Sequence, residues 1–231
     1  VTPSPTPPVL HTTAGDVLLA ECRLAVGGRE WAVLHATAVL SRGDEARYLD
    51  DQARVPYGVA LWPAAIALAH EVATHPDEFR GRNVLELGAG TGLPGIVAAS
   101  LGAKVVQTDR HELALHICRL NGERNKVLGV EVEYRLADWV KWADDHRYDW
   151  ILGSDVLYAD IYHEQLRGIF ENNLAGRGRI LLSDPYRAAS MPLLEKLEAS
   201  GWRVTHTRWV IGEGTDARPV AVYELSPPAG K

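Results

Sequence analysis

The chain has 231 residues, 46% of them hydrophobic, and a formal charge of -6 from 24 basic and 30 acidic side chains. That length buries a substantial core in one large domain, and the acidic balance argues against a general nucleic-acid footprint. Cys22 and Cys118 are the only cysteines; they are too few for a disulfide framework and read as small buried residues of a reducing compartment, the cytoplasm. No stretch approaches the roughly 18 apolar residues of a membrane span. The opening VTPSPTPP lacks a basic segment followed by an apolar one, so it reads as an extended or disordered tail and not as a leader. The chain opens on Val1 instead of methionine, and a segment upstream of it is expected.

In chain order, DVLLAECRLAV and EWAVLHATAVL are apolar β-prone runs around Gly27-Gly28, and a hairpin is expected there. SRGDEARYLDDQARVPYG is polar and loop-like. WPAAIALAHEVATH carries Ile66, Leu68, Ala69, Val72 and Ala73 at helical spacing, with Trp62-Pro63 at its start. A regular alternation follows. NVLELG, AKVVQTD, VEVEYRLADW, YDWILGSD and GRGRILLSD read as strands, and a helix follows each except VEVEYRLADW, which carries a loop, the last helix being MPLLEKLEASG. WRVTHTRWVI and PVAVYELS are two final strands joined without a helix. The fold class expected is α/β: a Rossmann-like, mostly parallel seven-stranded sheet with helices on both faces and an antiparallel last strand, preceded by an N-terminal β-hairpin. The expected divisions are a flexible tail over 1–10, a hairpin and loop extension over 11–60, the main domain over 61–226 and a tail over 227–231.

The glycines of NVLELGAGTGL stand at Gly88, Gly90 and Gly92. In an open parallel sheet the ligand lies at the carboxyl ends of the strands, where such a turn lets it approach the backbone. The dinucleotide spacing G-x-G-x-x-G requires its third glycine at Leu93, and no G-K-[ST] follows, so the turn suits a nucleoside better than a pyrophosphate. Asp109 closes the second strand, about 20 positions beyond Gly88, where a carboxylate accepts both ribose hydroxyls. Arg110 either stacks over the base or faces water. Asp138 offers an acceptor for an exocyclic amine and Trp139 a stacking face, or they are a loop carboxylate beside a core ring. Glu86 lies inside a strand and requires a partner, either a cationic ligand group or a backbone amide.

Together VLELGAGTGLPGIVAA, Asp109, Asp138-Trp139 and DWILGSDVLY resemble the class I, seven-stranded S-adenosylmethionine-dependent methyltransferases. The nearest branch contains the lysine methyltransferases of chaperones, elongation factors and the electron-transfer flavoprotein β subunit. The likeness runs from about Trp62 to Leu225. It implies that Glu86 lies near the methionine moiety, that Asp109 holds the ribose, that Asp138 faces adenine and that Trp62 packs near the cofactor. Gly88, Gly90, Gly92, Arg110, Trp139 and Ser154 complete the expected cofactor set. The branch signature D-x-x-Y is Asp155-Val156-Leu157-Tyr158. Asp155 is expected to dock the acceptor and Tyr158 to orient or wall it; from the residues alone, Asp155 is equally a cap for a helix near Ala159–Ile161. Arg187 of SDPYR contacts substrate, the Asp184 region or solvent.

The resemblance implies methyl transfer from S-adenosylmethionine, leaving S-adenosylhomocysteine, to an acceptor that is most simply a protein lysine. The alternatives are a small molecule, another protein side chain, or a nicotinamide-dependent oxidoreductase. No metal-ligand spacing and no G-x-S-x-G elbow occurs. A protein substrate is expected, with no membrane or nucleic-acid partner and a monomeric chain.

Overall fold

Strands and helices largely alternate from Asn83 onward, and the helices after the strands at Asn83–Leu87, Lys104–Asp109 and Tyr148–Ser154 each return the chain to a parallel neighbour. In the computed structural model, which describes residues 9–12, 15–39, 43–44, 57–127 and 132–228, the first strands are β1 (Val9–Thr12), β2 (Gly15–Leu18), β3 (Ala20–Val26), β4 (Arg29–His35), β5 (Thr37–Ala38) and β6 (Ala60–Leu61). They are followed by α1 (Pro63–Ala73), α2 (Pro76–Phe79), β7 (Asn83–Leu87), α3 (Leu93–Ser100), β8 (Lys104–Asp109), α4 (Glu112–Arg124) and β9 (Val132–Leu136). The remainder is β10 (Tyr148–Ser154), α5 (His163–Asn173), β11 (Leu174–Asp184), α6 (Met191–Ala199), β12 (Arg203–Ile211) and β13 (Arg218–Ser226).

The central sheet has seven strands in the order β12-β13-β11-β10-β7-β8-β9. All pairs are parallel except those that β13 makes with β11 and β12. The last strand is therefore the antiparallel one, inserted between two earlier strands. Alternate side chains face opposite layers. Val84, Val105, Leu152 and Leu181 join α1 and α3 in one core, while Leu85, Leu87, Ile151 and Leu182 join α5 and α6 in the other. The chain runs outward from β7 through β8 to β9 and then returns to β10 beside β7. That reversal opens a crevice beyond Leu87 and Ser154, the carboxyl ends of the two strands.

The expected hairpin is β3 with β4. Val26 pairs with Arg29 across Gly27-Gly28, whose φ values of 59° and 74° suit the tight primed turn. DVLLAECRLAV does not form one strand, however. It breaks at buried Leu19, and β2 pairs instead with β1. Leu10 and Leu19 thereby reach Val59 and Ile117 in a small core outside α4. Val9 and Leu10, expected in a tail, are thus held by strand pairing and burial. EWAVLHATAVL likewise divides at Ala36, whose N–H donates to Val59 O at 2.9 Å, and β5 pairs in parallel with β6. Most of the polar loop SRGDEARYLDDQARVPYG, and the end segments 1–8 and 229–231, lie outside the described residues. Pro63 opens α1, as expected, at a position where its missing N–H costs nothing. No helix among the described residues is long and apolar enough to cross a membrane.

Candidate active site

At the end of β7 the chain turns through Gly88, Gly90 and Gly92, with φ values of 59°, 57° and 76°. Side-chain-bearing residues rarely adopt that left-handed region. The three glycines serve different neighbours. A Cβ on Gly88 would lie 3.3 Å from both Trp139 and Val156, inside a cavity. One on Gly90 would meet Gly58 O at 3.0 Å, and one on Gly92 would meet Cys118 Sγ and Gln107 Nε2 at 2.8 Å. Gly88 thus keeps the cavity wall open between Trp139 and Val156, while Gly90 and Gly92 let the turn pack against the protein.

The cavity has a volume of about 520 Å³, within the ordinary range for small-molecule sites. One end is formed by Gly88, Asp109, Arg110, His111, Asp138 and Trp139; the other by Ser154, Asp155, Tyr158, Tyr57 and Arg187. Tyr162 connects the two ends. Its ring lies edge-on to Trp139 at 5.6 Å and to Tyr158 at 6.0 Å.

Asp109 is 5% exposed. Its Oδ2 accepts from the Gly90 N–H at 3.1 Å and its Oδ1 from the His111 N–H at 2.9 Å. Burial pushes its carboxyl up, against those two N–H groups. The Arg110 N–H also serves this carboxyl, and the residue lines the cavity, where a carboxylate can accept from ribose hydroxyls. Asp138 Oδ1 accepts from the Val140 N–H at 3.0 Å and presents Trp139 to the cavity. Arg110 donates to His111 Nε2 at 3.2 Å and to the Tyr162 hydroxyl at 3.4 Å, so it borders the cavity and is not simply solvated.

Glu86 departs from expectation. It is fully buried behind the turn, paired across β7 and β8 with Gln107, whose Nε2 donates to Glu86 Oε2 at 2.6 Å. Of its two candidate partners the backbone amide is present: the Gly95 N–H also serves this carboxyl. Burial nevertheless pushes the group up to about 8. Glu86 therefore braces the turn from inside and is not among the residues lining the cavity. Trp62 is also one layer back. It stacks on Tyr57 at 4.3 Å and donates to Tyr57 O at 3.2 Å, and Tyr57 faces the cavity.

At the end of β10, Asp155 is 4% exposed, with φ at 57°. Its N–H donates to Ser183 O at 2.8 Å. It does not cap a helix. A 3-10 turn spans Asp160–Tyr162 and α5 starts at His163, beyond Asp155's reach. Asp155 Oδ2 accepts from the Tyr57 hydroxyl at 2.6 Å and from Arg187 Nη2 at 3.0 Å, and Arg187 Nη1 pairs with Oδ1. Of the fates expected for Arg187, contact with the Asp184 region is present, Nη1 lying 3.9 Å from Asp184 Oδ2, whereas the pairing with Asp155 was not foreseen. The Arg187 N–H donates to Asp184 Oδ1 at 2.6 Å, where Tyr186 takes a φ of 62°. Two left-handed non-glycine residues, Asp155 and Tyr186, thus flank one site, as backbone strain does at functional positions. Tyr158 is 39% exposed, its hydroxyl pushed up by partial burial.

The structure therefore gathers Gly88, Asp109, Arg110, Asp138, Trp139, Ser154, Asp155, Tyr158 and Arg187 into one cavity and sets Glu86, Gly90, Gly92 and Trp62 behind it. Sequence reasoning missed Tyr57, Gly58, His111, Val156 and Tyr162. The signals available were the Tyr-Gly pair closing a polar loop and an aromatic residue four positions after Tyr158.

A family model described as lysine methyltransferase matches residues 44–196. The chain is 38% identical over 135 residues to protein N-lysine methyltransferase METTL21A of Xenopus tropicalis, covering 56% of this chain and 62% of that protein. It is 40% identical over 108 residues to histone-arginine methyltransferase METTL23 of Xenopus laevis, covering 44% of this chain and 45% of that one. The chain thus spans about half the length of these relatives. Among solved structures, magnesium protoporphyrin IX methyltransferase of Synechocystis with bound S-adenosylmethionine aligns at a TM-score of 0.57 and 16% identity, over 78% of this chain and 84% of that one. The N-methyltransferase NodS of Bradyrhizobium japonicum with S-adenosylhomocysteine gives 0.56 at 15%, over 72% and 88%. Identities this low speak to the fold alone.

Proposed function

Because the chain belongs to the lysine methyltransferase family, we propose that it transfers a methyl group from S-adenosylmethionine to the side-chain amine of a protein lysine. The observation that carries this reading is the single cavity in which a nucleoside-shaped end, around Gly88 and Asp109, meets a carboxylate and tyrosine end, around Asp155 and Tyr158. The family match leaves the nicotinamide alternative without support.

In this reading the chain is an S-adenosylmethionine-dependent enzyme, and the cofactor, when bound, supplies an electrophilic methyl carbon on a positively charged sulfur. Asp109 accepts from the ribose hydroxyls. Asp138 accepts from the adenine amine, Trp139 and Arg110 cover the base, and Ser154 borders the path between the two ends. Glu86, Gly90, Gly92 and Trp62 support these groups from behind. Asp155 docks the acceptor nitrogen and Tyr158 walls it in, so that approach is in line and water is excluded. The amine enters neutral. Its lone pair forms the new carbon–nitrogen bond, the carbon–sulfur pair stays on sulfur, and the nitrogen afterwards releases a proton to water.

Residues 61–226 form the methyltransferase domain in this reading, and 11–60 an extension that contributes Tyr57 and Gly58. The protein acts as a monomer on protein substrates in the cytoplasm; sedimentation and cell fractionation test those two points. The test of function is transfer of labelled methyl from S-adenosylmethionine into dialysed cell lysate, followed by mass-spectrometric mapping. Label on lysine supports the proposal. Label on arginine selects a second reading, which the METTL23 likeness favours, and label confined to small molecules defeats both.

A further inference from the structure

A carboxylate at the acceptor seat creates an electrostatic conflict. The attacking nitrogen requires a free lone pair, whereas lysine carries its proton up to about pH 10.4 in water. An isolated buried carboxylate would hold that proton more tightly still. Asp155 is not isolated. Arg187 meets it with both terminal nitrogens, the planar fork of a guanidinium matching a carboxylate.

We propose that Arg187 is a positioning residue that acts through Asp155, neutralising the carboxylate so that the acceptor amine docks uncharged. The proposal rests on the reading of Asp155 as the acceptor dock. The contacts support it. Asp155 Oδ2 receives the Tyr57 hydroxyl and Arg187 Nη2, which fills its two acceptor sites, and Oδ1 is closed off from solvent against Arg187 Nη1. A carboxylate whose charge is met in this way offers little to an ammonium with three donors, so the amine beside it docks neutral, with its lone pair left for the methyl carbon. Asp155 is 4% exposed and the Arg187 side chain 28%, so water screens the pair weakly.

The other charged and titratable groups facing the pair are few. Asp184 Oδ2 lies 3.9 Å from Arg187 Nη1, and burial pushes its carboxyl up. The Tyr57 hydroxyl donates to Asp155. Tyr158, Tyr162, Arg110, His111, Asp109 and Asp138 complete the titratable lining of the same cavity. Arg187 is fixed from behind, because its N–H is held by Asp184.

The test is the pH dependence of the initial rate of tritium transfer from S-adenosylmethionine into dialysed cell lysate, from about pH 6 to about pH 10. The rate rises as the acceptor loses its proton. In Arg187→Gln and Arg187→Met that rising limb moves up by about one pH unit, so the rate below it falls about tenfold. Arg187→Lys keeps the limb near its wild-type position. S-adenosylmethionine affinity, measured by calorimetry, stays within about threefold, which separates the effect from misfolding. An unmoved limb in both neutral variants overturns the inference and leaves the function standing. A faster rate at every pH would make Arg187 a plug in the acceptor seat and also overturn it. Loss of S-adenosylmethionine binding in both would assign Arg187 to the fold, with the same consequence. Wild-type protein that labels no protein at any pH overturns the acceptor reading and this inference with it.

Discussion

Asn121 pairs with the backbone of Leu34 as a neighbouring strand would. Its Oδ1 accepts from the Leu34 N–H at 2.7 Å, and its Nδ2 donates to Leu34 O at 3.1 Å and to Thr91 O at 2.8 Å. One helical turn on, Asn125 does the same with Ala32, accepting at 2.9 Å and donating at 2.8 Å. The spacings match: four residues of helix rise about 6 Å, and two residues of strand about 6.6 Å. The N-terminal hairpin is thereby attached to α4 and, through Thr91, to the glycine turn. Asn121→Ala leaves buried backbone groups unpaired, and we expect a loss of about 2–4 kcal/mol in urea unfolding. Cofactor affinity should fall too; an unchanged midpoint would show that the pairing contributes nothing.

Gly95 offers a test of sign. Alanine in a helix interior ordinarily stabilises by up to about 1 kcal/mol over glycine. Gly95 lies in α3, yet a Cβ there would run into Glu86 Oε2 and the Gln107 amide. Gly95→Ala is therefore expected to destabilise by about 1–3 kcal/mol, read as a lower thermal midpoint. A higher midpoint would mean that the Glu86–Gln107 pair shifts freely.

Glu86 also makes stability depend on pH. Its folded carboxyl is raised from 4.5 to about 8, first by burial and against the hydrogen bonds from Gln107 and Gly95. Between those values the folded state binds more protons than the unfolded chain, so the Glu86 contribution is complete below about pH 4.5 and is lost as pH rises through about 8. Urea midpoints of wild type should fall across that window, and those of Glu86→Gln should fall less. Parallel curves would place Glu86's proton elsewhere.

Tyr57→Phe removes one hydroxyl and keeps the ring that stacks on Trp62. Asp155 Oδ2 then loses a donor held at 2.6 Å. A hydrogen bond to a charged group is worth about 1.5–3 kcal/mol, so kcat/KM should drop about tenfold or more, while the affinity for S-adenosylmethionine changes little. A matching loss in cofactor affinity would move Tyr57 to the nucleoside end.

The sheet was readable because most strands from Asn83 to Asp184 are followed by a helix, and periodicity reports burial directly. Asp109 and Asp155 were readable because strand ends are where a parallel sheet exposes chemistry. Glu86 was not, because its direction depends on the strand's pleat and on Gln107 one strand away, a pairing across 21 residues. Tyr57 was missed for a similar reason: its partner Asp155 is 98 residues distant. The break at Leu19 escaped because strand propensity is indifferent to which of two neighbours the strand will pair with.

Asp109 does two things at once, and one substitution separates them. Its oxygens accept from Gly90 and His111, which fixes the turn, and the residue lines the cavity. An asparagine side chain is isosteric with it, but one end of the amide would be a donor facing a backbone donor. Asp109→Asn should therefore weaken S-adenosylmethionine binding by about tenfold to a hundredfold, or about 1.5–3 kcal/mol. The pH dependence adds a second readout. Only the ionised carboxylate accepts at both oxygens, and burial has pushed this carboxyl above its ordinary range. Wild-type affinity should thus decline on acidification sooner than for an exposed aspartate, and the Asp109→Asn affinity should be flatter over the same range. Calorimetric titration of both proteins decides it: equal slopes would remove Asp109 from the ribose.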